Sequence, residues 1–164
     1  MIYFAAGWFT PEQDKLYSKI VKILREEYGE LEWFFPRDLG INLETKSPKE
    51  KKLLVKKVFA LDTGMLLVTM KTDGFLLAII DDYDTGMIWE CGFAFGISFG
   101  KLPIITYTDK GYGLNVMLKE SAIAHIKGID QLRTFLSHYV DKGANMLALL
   151  EAAKHFQNFD EEVF

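Results

Sequence analysis

Asp81-Asp82-Tyr83-Asp84-Thr85-Gly86-Met87-Ile88-Trp89-Glu90 carries four carboxylates within ten residues. An apolar run, Phe75 to Ile80, leads into it, and a helix-like run, Gly86 to Phe99, contains its last acid. Open α/β sheets bind ligands at such strand-to-helix junctions. Glu90 lies among Ile88, Trp89, Phe93 and Phe95, where an acid costs desolvation energy unless it is used. With Asp84 as N-cap, Glu90 falls in the second helical turn. Both carboxylates then reach toward the strand ends, and Gly86 puts no side chain in the way. Two carboxylates in one crevice suit glycosidic chemistry, one as nucleophile and others holding sugar hydroxyls or moving protons. The plainer reading is an N-cap Asp with a solvent-facing Glu. Asp81 is placed as support for the pair, and Asp82 as a solvated turn residue.

Other polar features carry less chemistry. Gly96-Ile97-Ser98-Phe99-Gly100-Lys101 is one residue short of a phosphate-cradling loop, and Leu102 follows the lysine where Ser or Thr is needed. It also stands at a helix C-terminus, whose dipole disfavours phosphate. The Lys46 to Lys57 cluster reads as the solvated face of a helix, and Cys91 as a buried structural thiol. Asn115-Val116-Met117 follows a glycine-rich loop and reads, by itself, as a loop Asn beside an apolar anchor.

The elements that must position these residues follow from pattern. Met1 to Ala6 is a short buried strand closed by Gly7. Thr10-Pro11-Glu12-Gln13 is a helix start with Thr as N-cap and Pro at the first helical position. That helix runs to about Tyr28, on Leu16, Ile20, Ile23 and Leu24. Leu31 to Phe35 is a second strand, 37 to 47 a loop, and Pro48 opens a helix to about Thr63, with 64 to 71 ambiguous. Phe75 to Ile80 reads as a central parallel strand buried on both faces. Gly92, Ala94 and Gly96 allow the following helix to pack closely. Leu102 to Tyr107 and Ala122 to Ile126 are further strands, and Ile129 to Val140 and Ala144 to His155 are helices. This alternation predicts a single α/β domain over 1–164, a flavodoxin-like (Rossmann-like) open parallel sheet of about five strands flanked by helices. The strand C-termini then bring Tyr3 to Trp8, Pro36 to Asp38, Asp81 to Asp84 and Thr106 to Asp109 around one crevice.

Composition narrows the function. The chain has 164 residues, a formal net charge of −4 and a pI near 5.4, against the basic footprint of a nucleic-acid binder. One Cys and three dispersed His exclude an internal disulfide and predict no metal cluster. No apolar stretch reaches about 18 residues, so no membrane span is expected. The start shows no basic n-region, which predicts no signal peptide and a cytoplasmic setting. An aromatic share of 14% exceeds the needs of a small core and points to a pocket or subunit interface.

Three fragments together resemble the nucleoside 2-deoxyribosyltransferase family. Ile2-Tyr3-Phe4-Ala5-Ala6-Gly7-Trp8-Phe9-Thr10 is similar to its opening strand and loop. Asp84-Thr85-Gly86-Met87-Ile88-Trp89-Glu90-Cys91-Gly92-Phe93-Ala94 resembles its acid–Gly–Glu–Gly–Ala motif, and Leu114-Asn115-Val116-Met117 its Asn-x-Met segment. The order and spacing agree over roughly residues 1 to 117.

The resemblance implies 2-deoxyribosyl transfer from a deoxynucleoside to a free base, with Glu90 attacking C1′, Tyr3 orienting Glu90 and Asp84 holding sugar hydroxyls. Asn115 and Met117 would reach a neighbouring subunit's sugar, Trp8 and Phe9 would line the base pocket, and Gly86 would leave room beside the acids. It implies no cofactor and a homo-oligomer, dimer-based and up to a hexamer, with shared sites to which the tail 158–164 contributes. The chain departs from the family at three places. Phe164 stands where a terminal Tyr is usual, so only the terminal carboxylate could serve there. Ala5 replaces a Gly beside the base pocket. The base-binding acid has no clean match; Asp62, Asp38 and Asp73 are candidates, Asp62 preferred. The rival readings are a hydrolase of (deoxy)nucleosides or their monophosphates, and a nucleotide-binding sensor domain without turnover.

Overall fold

The computed structural model describes residues 1–39 and 47–157; expectations placed on 40–46 and on the tail 158–164, including Phe164, lie outside the described residues. The strands are β1 Ile2–Ala5, β2 Trp33–Phe34, β3 Phe75–Ile79, β4 Ile104–Thr108 and β5 Ala124–Lys127. The helices are α1 Pro11–Glu27, α2 Pro48–Lys71, α3 Thr85–Ser98, α4 Val116–Ser121, α5 Ile129–Asp141 and α6 Met146–Lys154. The strands form one sheet in the order β2-β1-β3-β4-β5, every pair parallel. This is the flavodoxin-like order, whose switch point lies between β1 and β3. Tyr3 pairs with Leu76 and Ala5 with Ala78, so the loops after β1 and β3 part over that point.

Local chemistry sets the helix starts. Thr10 caps α1 and Ser47 caps α2, each in a reciprocal capping box with the residue three positions on, Gln13 or Glu50. One face of the sheet packs against Tyr17, Ile20 and Leu24 of α1 and against residues of α5 and α6. The other packs against Leu66 of α2, Met87, Cys91 and Ala94 of α3, and Leu118 of α4. Strand side chains alternate between these two cores: Phe4 and Leu77 enter the first, Tyr3, Ala5 and Leu76 the second.

Three local features differ from the sequence reading. Helix α2 does not stop near Thr63 but runs through Gly64 to Lys71, because Leu66 and Thr69 bury against the sheet and hold its last turns. Helix α4 was not anticipated; Asn115 is its N-cap, accepting from the Leu118 N–H at 3.0 Å. Gly92 and Gly96 face outward, with nothing within 4 Å of where a Cβ would stand, so only Ala94 of the small residues packs inside. Helix α3 ends on Phe99 in the left-handed region, φ 52°, followed by Gly100 at φ 75°.

Candidate active site

Tyr3 is buried in β1, and its hydroxyl donates to Glu90 Oε1 at 2.7 Å. Its ring packs on Phe34 at 5.2 Å between centroids, which fixes the direction of the hydroxyl. Glu90 stands in the second turn of α3, partly buried. Burial pushes its carboxyl up to about 8; the Tyr3 hydrogen bond opposes that shift, while Asp62 and Asp84 add to it. The Tyr3 hydroxyl is itself raised far above the usual phenol range, first by burial and then by Glu90. Asp62, from the middle of α2, is pushed up to about 6 by burial, and its Oδ1 is buried without a hydrogen-bond partner. Asp62 of α2 and Asp84 at the cap of α3 thus both act on Glu90, and Glu90 and Asp62 are both raised toward the protonated form.

Asp84 caps α3, with Oδ1 accepting from the Met87 N–H at 2.9 Å. Two glycines make room for it. A Cβ on Gly86 would stand 3.0 Å from Asp84 Oδ1, and one on Gly7 would stand 3.0 Å from the Asp84 Cβ and 2.9 Å from the Gln13 side chain. Gly7 therefore lets the loop after β1 lie directly against the acid.

The structure moves Asp81 out of the reactive group. Its buried Oδ1 accepts from the Thr108 hydroxyl at 3.0 Å and the Lys110 N–H at 2.9 Å, and its Oδ2 from the Asp109 N–H at 2.8 Å. This carboxylate is spent on holding the loop after β4. Asp82 is ion-paired with Lys110 at 3.0 Å. Tyr83, which sequence reasoning passed over, donates to the Gly113 carbonyl; its place inside the acidic run was the only signal for it.

The remaining candidates are spread around the crevice. Ala5 is buried at the end of β1. Trp8 stacks on Phe9 at 5.1 Å and meets Tyr17 edge-on; Phe9 is 73% exposed. Met117, in the first turn of α4, is 77% exposed, and Asn115 is partly buried at its cap. Of the alternatives to Asp62, Asp38 is ion-paired with Arg25 of α1, and Asp73 sits in the turn before β3, at the N-terminal ends of the strands and so opposite the crevice. A narrow cleft at the switch point is lined by Ala6, Gly7, Gln13, Tyr17, Asp81 and Asp82. It lies on the α1 side and is not lined by Glu90, which stands in α3 on the other face of the sheet. Among the described residues no group of three or more His, Cys, Asp or Glu is arranged to hold a metal ion.

Residues 2–125 match the family model for nucleoside 2-deoxyribosyltransferase. The chain belongs to the nucleoside 2-deoxyribosyltransferase family. This deoxyribosyltransferase-family protein is 31% identical over 143 residues to the nucleoside deoxyribosyltransferase of Lactobacillus leichmannii, covering 82% of this chain and 87% of the relative. Among solved structures, it matches the 2-deoxyribosyltransferase of Bacillus psychrosaccharolyticus at 28% identity and TM-score 0.53, over 76% of this chain and 83% of that one. At the level of the family, membership supports a glycosyltransferase-type enzyme acting in nucleoside deoxyribosyl transfer, with nucleosides and bases as substrates. Among the described residues no helix is long and apolar enough to cross a membrane.

Proposed function

We propose that the protein transfers the 2-deoxyribosyl group from a deoxynucleoside to a free purine or pyrimidine base through a covalent ester on Glu90. The observation that carries this reading is the bond from a buried Tyr3 hydroxyl to Glu90 Oε1. It orients one carboxylate oxygen and leaves the other to attack. Glu90 displaces the base at C1′ through an oxocarbenium-like transition state. The electron pair of the N-glycosidic bond leaves with the base, which takes a proton from a neighbouring acid. A second base then attacks C1′, the ester bond breaks, Glu90 regains its carboxylate, and the second base gives its proton back. Configuration is retained over the two displacements. Asp62, half-buried and raised to about 6, is suited to carry that proton. Asp84 holds sugar hydroxyls; its charge favours a 5′-hydroxyl over a 5′-phosphate, so nucleosides are preferred to nucleotides. Trp8, Phe9 and Ala5 border the base.

We further infer a homo-oligomer with shared sites, dimer-based and up to a hexamer, in which Asn115 and Met117 serve a neighbour and the tail 158–164 contributes to an active site. The two helical layers differ in finish. Among the described residues, eleven of the fourteen exposed large apolar residues lie on the α2–α4 side, from Leu53, Phe59 and Leu61 through Trp89, Phe95 and Phe99 to Met117. This layer borders Asp62 and Glu90, so a second copy seated on it would also exclude water, favouring transfer over hydrolysis.

The deciding experiment is a product assay with a deoxynucleoside and a different free base. Formation of the new deoxynucleoside, lost in Glu90→Ala, is expected. Free deoxyribose as the sole sugar product would make the protein a hydrolase; no change across several bases would overturn the enzymatic reading.

A further inference from the structure

Three consecutive residues after β3 hold the loop after β4, each with its side chain. Asp81 accepts from Thr108, Asp109 and Lys110; Asp82 pairs with Lys110 and accepts from the Tyr112 hydroxyl at 3.3 Å; Tyr83 donates to the Gly113 carbonyl. Asp82 and Tyr83 both hold positive φ, 65° and 45°. That left-handed pair is strained for residues with a side chain, and the contacts it makes across the loops are what stabilise it. The Tyr83 ring packs edge-on against Tyr112, with centroids 6.0 Å apart. The turn that ends in Asp84 therefore also fixes the backbone two residues before the cap of α4.

We infer that Tyr83 is a positioning residue for sugar recognition: through Gly113 it sets the Asn115–Met117 segment at a fixed distance from Asp84. The inference rests on the sugar-binding roles proposed above for Asp84 and Asn115. Tyr83 does not touch the reacting atoms; it joins the two loops that supply hydroxyl contacts. In an oligomer with shared sites it would tie the loop serving its own site to the loop serving a neighbour's. Binding of the sugar is common to ground and transition states, so loosening this link raises KM and leaves kcat in place.

The test is Tyr83→Phe, which removes one hydroxyl and keeps the ring contact with Tyr112. The KM for the deoxynucleoside is expected to rise about five- to tenfold, the worth of one hydrogen bond. The kcat stays within about twofold, and the thermal midpoint shifts by no more than about 4 °C. An unchanged KM in the folded, active variant would overturn the inference. So would a parallel fall in kcat and thermal midpoint with KM unmoved, which marks a purely structural tyrosine. Failure of the proposed function is separate: there the unsubstituted protein itself forms no new deoxynucleoside.

Discussion

Tyr3 and Glu90 are 87 residues apart in the chain and joined at 2.7 Å, strand β1 to helix α3. The contact exists because β1 and β3 are neighbours in the sheet and α3 returns across their shared face. Replacing Tyr3 by Phe keeps the buried ring and removes the donor. Glu90 then loses the one interaction that lowers its carboxyl, so less of it is ionised and its free oxygen is no longer aimed. A fall in kcat of about 10–100-fold with little change in KM is expected. Steady-state transfer rates at fixed pH check it; a kcat within twofold would remove Tyr3 from the machinery.

Glu90 itself should destabilise the fold in a pH-dependent way. Its folded carboxyl is raised from 4.5 to about 8. As pH rises, the unfolded chain loses this proton first, so stability is present below about 4.5 and lost through about 8. Glu90→Gln should therefore be near neutral at acid pH and more stable than the parent by roughly 1–3 kcal/mol at pH 8. Urea unfolding at several pH values reads this; equal gains at all pH values would show that Glu90 does not titrate as described.

The same shift governs the rate. Attack on C1′ needs the carboxylate, so kcat/KM for loss of the first base should climb with pH up to about 8. Asp62→Asn removes a negative neighbour, which should move that climb to lower pH while reducing the maximal rate as the proton carrier is lost. A pH profile with an unmoved limb would separate Asp62 from Glu90.

The α2–α4 layer gives an assembly prediction. Phe59, which packs on Trp89 at 5.3 Å and is still largely exposed, and Phe99, 92% exposed, are both on it. Phe59→Asp with Phe99→Asp should reduce the mass seen by light scattering to that of the protomer and lower activity more than tenfold, since a buried interfacial charge costs several kcal/mol. An unchanged mass would place the interface elsewhere.

Much of the architecture was legible from pattern because the strands are short, apolar and well punctuated. Phe75 to Ile80 read as a central parallel strand, and Thr10-Pro11 as a helix start, since burial and capping there use local rules. The end of α2 was not legible: Gly64 breaks the pattern, and only the sheet beneath Leu66 and Thr69 keeps the helix going. Helix α4 has six residues, too few to show a period. The acids were visible as charge, but charge does not say what satisfies it. Asp81 differs from Glu90 only through donors on Thr108, Asp109 and Lys110, 27 to 29 residues downstream, and no spacing rule within the acidic run reveals them.

The three-residue fastening between the loops after β3 and β4 also sets where this chain can be redesigned. Changes of length between Thr108 and Gly113 would tear side chains from their partners, so insertions there should be poorly tolerated. The loop after β1 is tied mainly through the Gln13 side chain, which accepts from the Phe9 and Thr10 N–H groups, and it presents Trp8 and the exposed Phe9. On the roles proposed above, a new base preference is more accessible by remodelling that loop, with the loops after β3 and β4 kept at their present lengths.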